Sequence, residues 1–298
     1  MNFEVWGMNG SLCVEHAEHE SFARDRLWYW LDAVDAACNR FRSDSEISRL
    51  NDVHDVPMVV SETLARCLEA ALTSAEVTGG LCDPTVLGSL LALGYDRDFD
   101  ELGDTVVTVQ AHQPSPGISA VSFEPQRRRV TLKAGCTLDL GASAKALVAD
   151  LVADELAPRG GVVVEIGGDV ALRGSGPSGP WVVGIADRLE IRGDEPRVSQ
   201  HGGGIATSSL TARTWKSARA TLNHVIDPRT GYCATGPYAS ATVSAASCVV
   251  ANAFSTAALL WGEEAGYHIA QAGWSARLVR HDGRIDFVGG WPAERLSA

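Results

Sequence analysis

The chain has 298 residues, with 25 lysines and arginines against 37 aspartates and glutamates, and a formal net charge of -12. This acidic balance, without any basic run, excludes ordinary nucleic-acid binding, which needs a concentrated positive face. No stretch approaches the roughly 18 apolar residues of a membrane-spanning helix. A composition of 45% hydrophobic and 21% charged residues therefore predicts a globular protein that does not insert into membranes.

After one strand, the first third of the chain is predicted to be helical. Alternating apolar and polar residues over 3–15 predict the strand, and apolar residues on one face predict a helix over about 20–39. Ser45 is placed to cap a short helix. A second long helix is predicted from Ser61 to the glycine pair Gly79-Gly80, because glycine commonly follows a helix end.

From residue 106 onward the pattern changes to short β-type runs separated by turns and a few helices. Gly202-Gly203-Gly204 predicts a tight passage of the chain, and one helix is predicted to begin near Ser143. Other strands are predicted at 106–110, 119–123, 129–132, 162–166, 181–185 and 240–246, further helices at 250–261 and 264–272, and a hairpin at 277–287.

Strands and helices mix without strict alternation, which favours an α+β fold over a doubly wound sheet. No linker is long or polar enough to divide the chain, so residues 1–298 are predicted to form a single domain. The seven cysteines include no C-x-x-C pair, which predicts reduced thiols and no structural zinc. Together with an N-terminus that lacks the features of a signal peptide, they predict a cytoplasmic protein.

The segment His224–Gly231 holds the densest group of chemically special residues. An apolar pair separates His224 from Asp227, and the Asp-Pro and Thr-Gly steps that follow predict a turn at the mouth of a strand. His224 is suited to general-base or proton-shuttle work because an ordinary histidine has a pKa of about 6.5. The alternative is a turn in which Asp227 only caps the backbone.

A second segment, Leu138–Lys145, leads from a strand end into a helix N-terminus. Its small residues let a phosphate approach the backbone, the free N–H groups favour an anion, and Lys145 adds a positive charge. The alternative is a polar strand end at Asp139 and a solvated Lys145.

A third segment places Asn252 and Thr256 one turn apart on the same face of a predicted helix. Both offer neutral oxygens, which magnesium accepts when substrate phosphates supply the negative charge. Side chains of this kind also occupy partly exposed helix faces without any function.

In combination, these segments resemble the family of FAD:protein FMN transferases, also called the ApbE family. The resemblance extends over residues 6–262, nearly the whole chain, and each segment alone would be weak. Six segments occur in the family's order: Phe41–Asn51, Gly80–Pro84, Asp139–Lys145, Glu165–Asp169, His224–Gly231 and Ala251–Thr256.

The resemblance implies an α+β, T-fold-like fold of two lobes, with mixed and antiparallel sheets, flanking helices and an FAD cleft between the lobes. It further implies transfer of the FMN moiety of FAD to a threonine or serine of an acceptor flavoprotein, with release of AMP and dependence on Mg2+. A displacement of this kind needs positioning and charge neutralisation more than covalent catalysis.

The family's functional residues transfer to matching positions of this chain. The metal ligands fall on the carbonyl of Ala142 and on the side chains of Asn252, Thr256 and Ser255. The FAD contacts fall on Met8, Phe41, Leu81, Cys82, Asp83, Asp139, Lys145 and Ile226. His224 is the expected acceptor of the substrate hydroxyl's proton, and Asp227 is expected to orient or assist it.

The chain departs from the family pattern at several of these positions. Asn252 stands where the family commonly has aspartate, so one negative charge is missing and a lower affinity for magnesium is expected. Cys82 replaces a bulkier residue, and Ser209 replaces a glycine.

Two alternatives to transferase activity follow from these observations. Water in place of the acceptor hydroxyl would make the protein an FAD pyrophosphatase that releases FMN and AMP. A metal site disabled by Asn252 would instead leave a non-catalytic FAD-binding protein.

Overall fold

The chain divides into two units, each assembled from separate stretches of sequence. Unit 1 comprises residues 1–30, 145–212 and 236–298, and unit 2 comprises residues 31–144 and 213–235. The structure, a computed structural model, describes residues 1–103, 105–186, 195–292 and 294. None of the helices in these ranges combines the length and apolar character required to cross a membrane.

Helices and strands alternate irregularly along the chain. The α-helices are α1 (Glu20–Cys38), α2 (Glu46–Asn51), α3 (Glu62–Val77), α4 (Leu87–Ala92), α5 (Phe99–Leu102), α6 (Gly141–Leu156), α7 (Cys248–Trp261) and α8 (Ala265–Gln271). The strands are β1 (Asn2–Val5), β2 (Met8–Val14), β3 (Met58–Val59), β4 (Val106–Val107), β5 (Val121–Glu124), β6 (Arg129–Leu132), β7 (Val162–Ile166), β8 (Asp169–Arg173), β9 (Trp181–Gly184), β10 (Arg197–Gln200), β11 (Gly203–Ser209), β12 (Thr214–Ser217), β13 (Thr221–Asn223), β14 (Ile226–Asp227), β15 (Tyr232–Cys233), β16 (Tyr238–Ala245), β17 (Ser275–Arg280) and β18 (Ile285–Val288). Single 3-10 turns occupy Ala17–His19, Pro84–Val86, Ile118–Ala120, Pro125–Arg127, Ala157–Arg159 and Gly262–Glu264.

Unit 1 is built on an eight-stranded sheet in the order β1-β2-β7-β8-β11-β16-β17-β18. Every neighbouring pair in it is antiparallel. Successive side chains of β11 point to opposite faces. Ile205 therefore packs with Val170 and Leu172 on one face, whereas Ala206 packs with Ala251 of α7 on the other.

Unit 2 contains three small sheets rather than one large one. Their orders are β13-β12-β4, β14-β15 and β3-β6-β5. One apolar cluster joins α4 to the first two sheets, with Trp215 of β12 at its centre. The Trp215 indole is 2% exposed and donates its Nε1–H to the carbonyl of Leu93 at 2.9 Å, which satisfies its polar atom. Tyr95 belongs to the same cluster.

The predicted α+β class is confirmed, as are the long helices α1 and α3, the capping role of Ser45 and the start of α3 near Ser61, which is its N-cap. The strand predicted over 3–15 is wrong in extent. It is a hairpin, because residues 6 and 7 both adopt positive φ angles and turn the chain between β1 and β2. The tight passage predicted at 202–204 is confirmed, since Gly203 has a positive φ angle and a side chain at Gly204 would lie 2.3 Å from the backbone of Cys248; both residues belong to β11.

Other predicted elements are shifted or shortened rather than absent. The run at 106–110 forms a strand only over 106–107. The hairpin of β5 and β6 and the helices at residues 248–261 and 265–271 lie close to their predicted places. No part of the structure tests the prediction of a single domain over 1–298.

Candidate functional site

Asp139 organises the N-terminus of α6 in unit 2. Its Oδ1 accepts the backbone N–H of Gly141 at 2.7 Å, so the carboxylate satisfies one of the free donors at the helix start. Its Oδ2 binds Nε of Arg40 at 2.7 Å, and the backbone N–H of Asp139 donates to the carbonyl of Pro84 at 2.8 Å. These contacts fix one predicted FAD-binding carboxylate, while Ala142 lies exposed in the first helical turn.

Aromatic rings enclose the guanidinium of Arg40. The carbon Cζ of Arg40 lies 4.1 Å from the centroid of the Phe41 ring and 4.6 Å from that of Tyr95. The ring centroids of Phe41 and Tyr95 are 5.8 Å apart. Phe41 is 38% exposed, so a predicted FAD contact presents an accessible aromatic ring.

The predicted FAD contacts Leu81, Cys82 and Asp83 are buried in unit 2. Asp83 accepts both the backbone N–H and the hydroxyl of Thr85 at 2.8 Å and so caps the turn that follows. Burial raises the pKa of Asp83, and the two hydrogen bonds from Thr85 oppose that shift only in part. In this arrangement the three side chains are part of the unit's packing.

His224 and Asp227 lie at the entry of a short hairpin in unit 2. The turn closes where the carbonyl of Asp227 accepts the N–H of Gly231 at 2.8 Å, and β14 pairs Ile226 with Cys233. The Asp227 carboxylate binds the Arg229 guanidinium through two contacts of 2.8 Å. Burial acts to raise the pKa of Asp227, but the hydrogen bonds and charge of Arg229 outweigh it and hold the pKa below its ordinary value.

In unit 1, a two-residue turn brings Asp169 to the start of β8. Gly167 and Gly168 both have positive φ angles, +61 and +94, as a tight hairpin between β7 and β8 requires. A side chain at Gly167 would lie 2.4 Å from Sδ of Met8, so the glycine leaves room for this predicted FAD contact. Asp169 itself is only 2% exposed.

The predicted metal-binding side chains share one face of α7, at helical spacing of three and four residues. Ser208 of β11 lies against that face, where its Oγ is 2.8 Å from Oγ of Ser255 and 3.1 Å from Oγ1 of Thr256. The Ser255 hydroxyl also donates to the carbonyl of Asn252 at 3.0 Å. The structure therefore brings together the three predicted side chains of α7 and adds a fourth oxygen from Ser208.

The Asn252 amide has a definite orientation. Its Nδ2 donates to Oδ1 of Asp169 at 2.9 Å, so the amide oxygen points the other way. That oxygen, Oδ1, is buried and has no hydrogen-bond partner among the residues that the structure describes. A buried acceptor left in this state is costly unless a ligand satisfies it.

These residues fit a magnesium ion. The donor set consists of one amide oxygen and neighbouring hydroxyls, which are hard oxygen ligands of the type that magnesium prefers. Within the described ranges, no group of three or more His, Cys, Asp or Glu side chains could hold a metal. A site of neutral oxygens would therefore depend on substrate phosphate for charge.

Three residues that contact the predicted site residues had no predicted role of their own: Arg40, Asp169 and Ser208. Arg40 directly precedes a predicted FAD contact, which was its only sequence signal. Asp169 stood in a family segment without a role of its own, Ser208 in none, and their alignment with α7 depends on how β8 and β11 pair. Lys145 lies half-buried in the first turns of α6, as predicted for a helix N-terminus.

Comparisons with known proteins agree on one family. The FAD:protein FMN transferase of Vibrio cholerae serotype O1 is 29% identical over 255 residues, which are 83% of this chain and 75% of that protein. The Haemophilus influenzae protein of the same name is 28% identical over 268 residues, 86% of this chain and 75% of its own. The crystal structure of the Thermotoga maritima ApbE protein superposes with a TM-score of 0.83 at 24% identity, over 97% of this chain and 96% of that one.

The family model of the ApbE family matches residues 8–278, which include every residue predicted above to bind FAD, bind metal or carry a proton. This match extends over far more than half of the chain. The chain therefore belongs to the ApbE family.

Proposed function

We propose that this protein is an FAD:protein FMN transferase, which moves the FMN moiety of FAD onto a threonine or serine of an acceptor flavoprotein and releases AMP. The ApbE match over residues 8–278 carries this proposal. The names of the curated relatives support it, since they too are FAD:protein FMN transferases.

The reaction is a displacement at phosphorus. The acceptor hydroxyl attacks the phosphorus on the FMN side of the pyrophosphate, a new P–O ester bond forms, and AMP leaves with the electrons of the broken P–O bond. His224 takes the proton of the attacking hydroxyl, a role for which a half-buried imidazole is suited because it can both accept and release a proton.

Asp227 supports His224 as a fixed negative charge in this proposal. Arg229 keeps the Asp227 carboxylate ionised, so Asp227 is poorly suited to carry a proton itself. Asp227 lies in β14, three residues after His224. This position suits a residue that holds the backbone around the histidine in place.

We propose that Asn252, Ser255 and Thr256 hold a Mg2+ ion together with the carbonyl of Ala142. The unpartnered Oδ1 of Asn252 and the adjacent hydroxyls support this assignment. When bound, the ion would neutralise charge on the pyrophosphate. Asp169 orients Asn252 from behind, as an outer residue commonly orients a metal ligand.

The FAD contacts are proposed at Met8, Phe41, Leu81, Cys82, Asp83, Asp139, Lys145 and Ile226. The exposed ring of Phe41 supports ring stacking. The acceptor is proposed to be cytoplasmic, because the dispersed cysteines are all free thiols.

One assay tests the proposal against both alternatives. The purified chain is incubated with FAD and a flavinylatable acceptor domain, in Mg2+ or in EDTA, and intact mass and released AMP are measured. A magnesium-dependent gain of one FMN per acceptor with equal AMP is the expected result. Free FMN and AMP without acceptor modification would identify a pyrophosphatase, and intact FAD would identify a binding protein.

A further inference from the structure

Arg40 holds a buried hydrogen-bond donor that nothing in the described chain satisfies. Its side chain is 8% exposed, and its Nη2 is buried with no hydrogen-bond partner among the described residues. A guanidinium stays protonated at any relevant pH, so it cannot relieve this cost by losing a proton. The atom therefore requires an acceptor from a ligand.

The neighbouring charges restrict what that acceptor can be. Nε of Arg40 binds the Asp139 carboxylate at 2.7 Å, so the pair is close to neutral as a whole. A phosphate placed at Nη2 would gain from Arg40 but would be repelled by Asp139. A neutral oxygen acceptor meets no such repulsion and still receives a charge-assisted hydrogen bond.

The rings beside Arg40 restrict the ligand further. Phe41 stacks on the guanidinium and leaves 38% of its surface exposed, which provides a face for a planar ring. Of the two ring systems of FAD, isoalloxazine carries carbonyl oxygens, whereas adenine offers only ring nitrogens as acceptors.

We propose that Arg40 is a substrate-binding residue that donates through Nη2 to a carbonyl oxygen of the flavin ring. This inference rests on the proposed function for the identity of the ligand, and it assigns the flavin end of FAD to the surface formed by Arg40, Phe41 and Asp139. A cation that donates to a flavin carbonyl also changes the electronics of the ring, so binding should alter the flavin absorption spectrum.

The test is equilibrium binding of riboflavin, FMN and AMP to the purified full chain in EDTA, with affinities and flavin absorption spectra recorded for each variant. Arg40→Met removes the donor. Arg40→Lys keeps a positive charge for Asp139 but cannot place nitrogens at both Nε and Nη2. Arg42→Met is the matched control, because Arg42 is 44% exposed and its guanidinium pairs, among the described residues, with the carboxylates of Asp35 and Asp44.

Both Arg40 variants are expected to lose about tenfold or more in affinity for riboflavin and for FMN, as loss of a hydrogen bond to a charged donor predicts. They should also lose the spectral change, and their affinity for AMP should not fall. Arg42→Met should match the wild type throughout. If Arg40→Met fails to fold, as judged by its thermal transition, Arg40→Lys alone decides.

Several results would overturn the proposal. Wild-type affinity and spectrum in Arg40→Lys would show that Arg40 only anchors Asp139. A loss for FMN but not riboflavin would place the guanidinium at phosphate, and a loss for AMP would place it at adenine. A wild-type chain that binds neither flavin would also contradict it. None of these measurements requires turnover, so a failure of FMN transfer is distinguished from a failure of this assignment.

Discussion

The candidate sites of the two units leave buried polar atoms of opposite kind without a partner among the described residues. In unit 2 one such atom is a donor, Nη2 of Arg40, which lies beside a carboxylate that neutralises its charge. In unit 1 one such atom is an acceptor, Oδ1 of Asn252, whose amide is held by Asp169. Since folded proteins rarely leave such atoms unpaired, each unit is prepared for a different ligand chemistry. A donor site suits a carbonyl, and an acceptor site suits a cation.

The largest expected effect is on the proton transfer proposed for His224, in which neither Arg40 nor Asn252 takes part. His224→Ala should lower the rate of FMN transfer by about 10²- to 10⁴-fold, since the acceptor hydroxyl loses its general base. FAD affinity should be unchanged, because Arg40 and Asn252, the proposed ligand-binding residues, remain. Transfer rate and FAD affinity are measured together, with His16→Ala, an exposed histidine of unit 1, as the control. Unchanged transfer would remove His224 from the mechanism.

The next prediction tests the proposed metal site by removing the unpartnered oxygen of Asn252, Oδ1. Asn252→Leu keeps the approximate volume but deletes the amide oxygen, so affinity for Mg2+ should fall by about tenfold or more. Calorimetric titration with Mg2+ in the presence of FAD gives the affinity. The variant should also be less stable to heat, because the Asp169 carboxylate loses its buried donor. Equal Mg2+ affinity in Asn252→Leu and the wild type would exclude Oδ1 as a ligand.

Moving one charge sharpens the comparison further. Asn252→Asp alone should tighten Mg2+ binding, because it adds a negative charge to the site. The new carboxylate would also be repelled by that of Asp169, since the native pair is in contact at 2.9 Å. We expect this single variant to have a lower thermal transition than the wild type without metal.

Combining Asn252→Asp with Asp169→Asn restores an amide–carboxylate pair with the roles exchanged. The double variant should recover the thermal transition and bind Mg2+ several-fold more tightly than the wild type. Additive thermal effects of the two substitutions would argue against the orientation assigned to the Asn252 amide.

The smallest expected effect is a pH dependence in unit 2. Burial raises the pKa of Asp83 in the folded chain, so the folded state holds this proton more tightly than the unfolded state. The stabilisation from this group is present below the unfolded pKa and is lost as pH rises through the folded pKa.

Asp83→Asn does not titrate, and its amide oxygen can still accept both Thr85 donors. Relative to the wild type, its thermal transition should therefore improve as pH rises through the pKa of Asp83 in the folded chain. Asp150→Asn tests the same effect in unit 1, because burial also raises the pKa of the Asp150 carboxyl. A difference that does not vary with pH would show that Asp83 titrates alike in both states.

Local patterns in the sequence were sufficient to predict much of the fold. Ser61 and the apolar face of α3 lie within a few residues of each other, so their signal is complete in one window. The small strands β12 to β15 were missed, because two to four residues carry too little periodicity. The glycines at 203 and 204 predicted a tight passage but concealed the start of β11, because Gly204 serves close packing: a side chain there would lie 2.3 Å from the backbone of Cys248.

The candidate site was predictable where family motifs run along one segment, as at 251–256 of α7. It was not predictable where partners come from distant strands. Asp169 meets Asn252 across 83 residues of sequence, and Ser208 meets Ser255 across 47. Whether a polar side chain is a turn residue or a partner of α7 depends on strand register, which short segments do not specify.

The order of the sheet in unit 1 has a consequence for how the chain reaches its native state. Its two edge hairpins come from opposite ends of the sequence: β1 begins at Asn2, and β18 ends at Val288. A nascent chain therefore cannot complete this sheet until Val288 has left the ribosome. The pairing of β2 with β7 joins Val14 to Val162, and pairings of such long sequence separation form slowly and leave open strand edges in the meantime. Chaperones that act during synthesis should therefore affect the yield of folded protein more than its final stability.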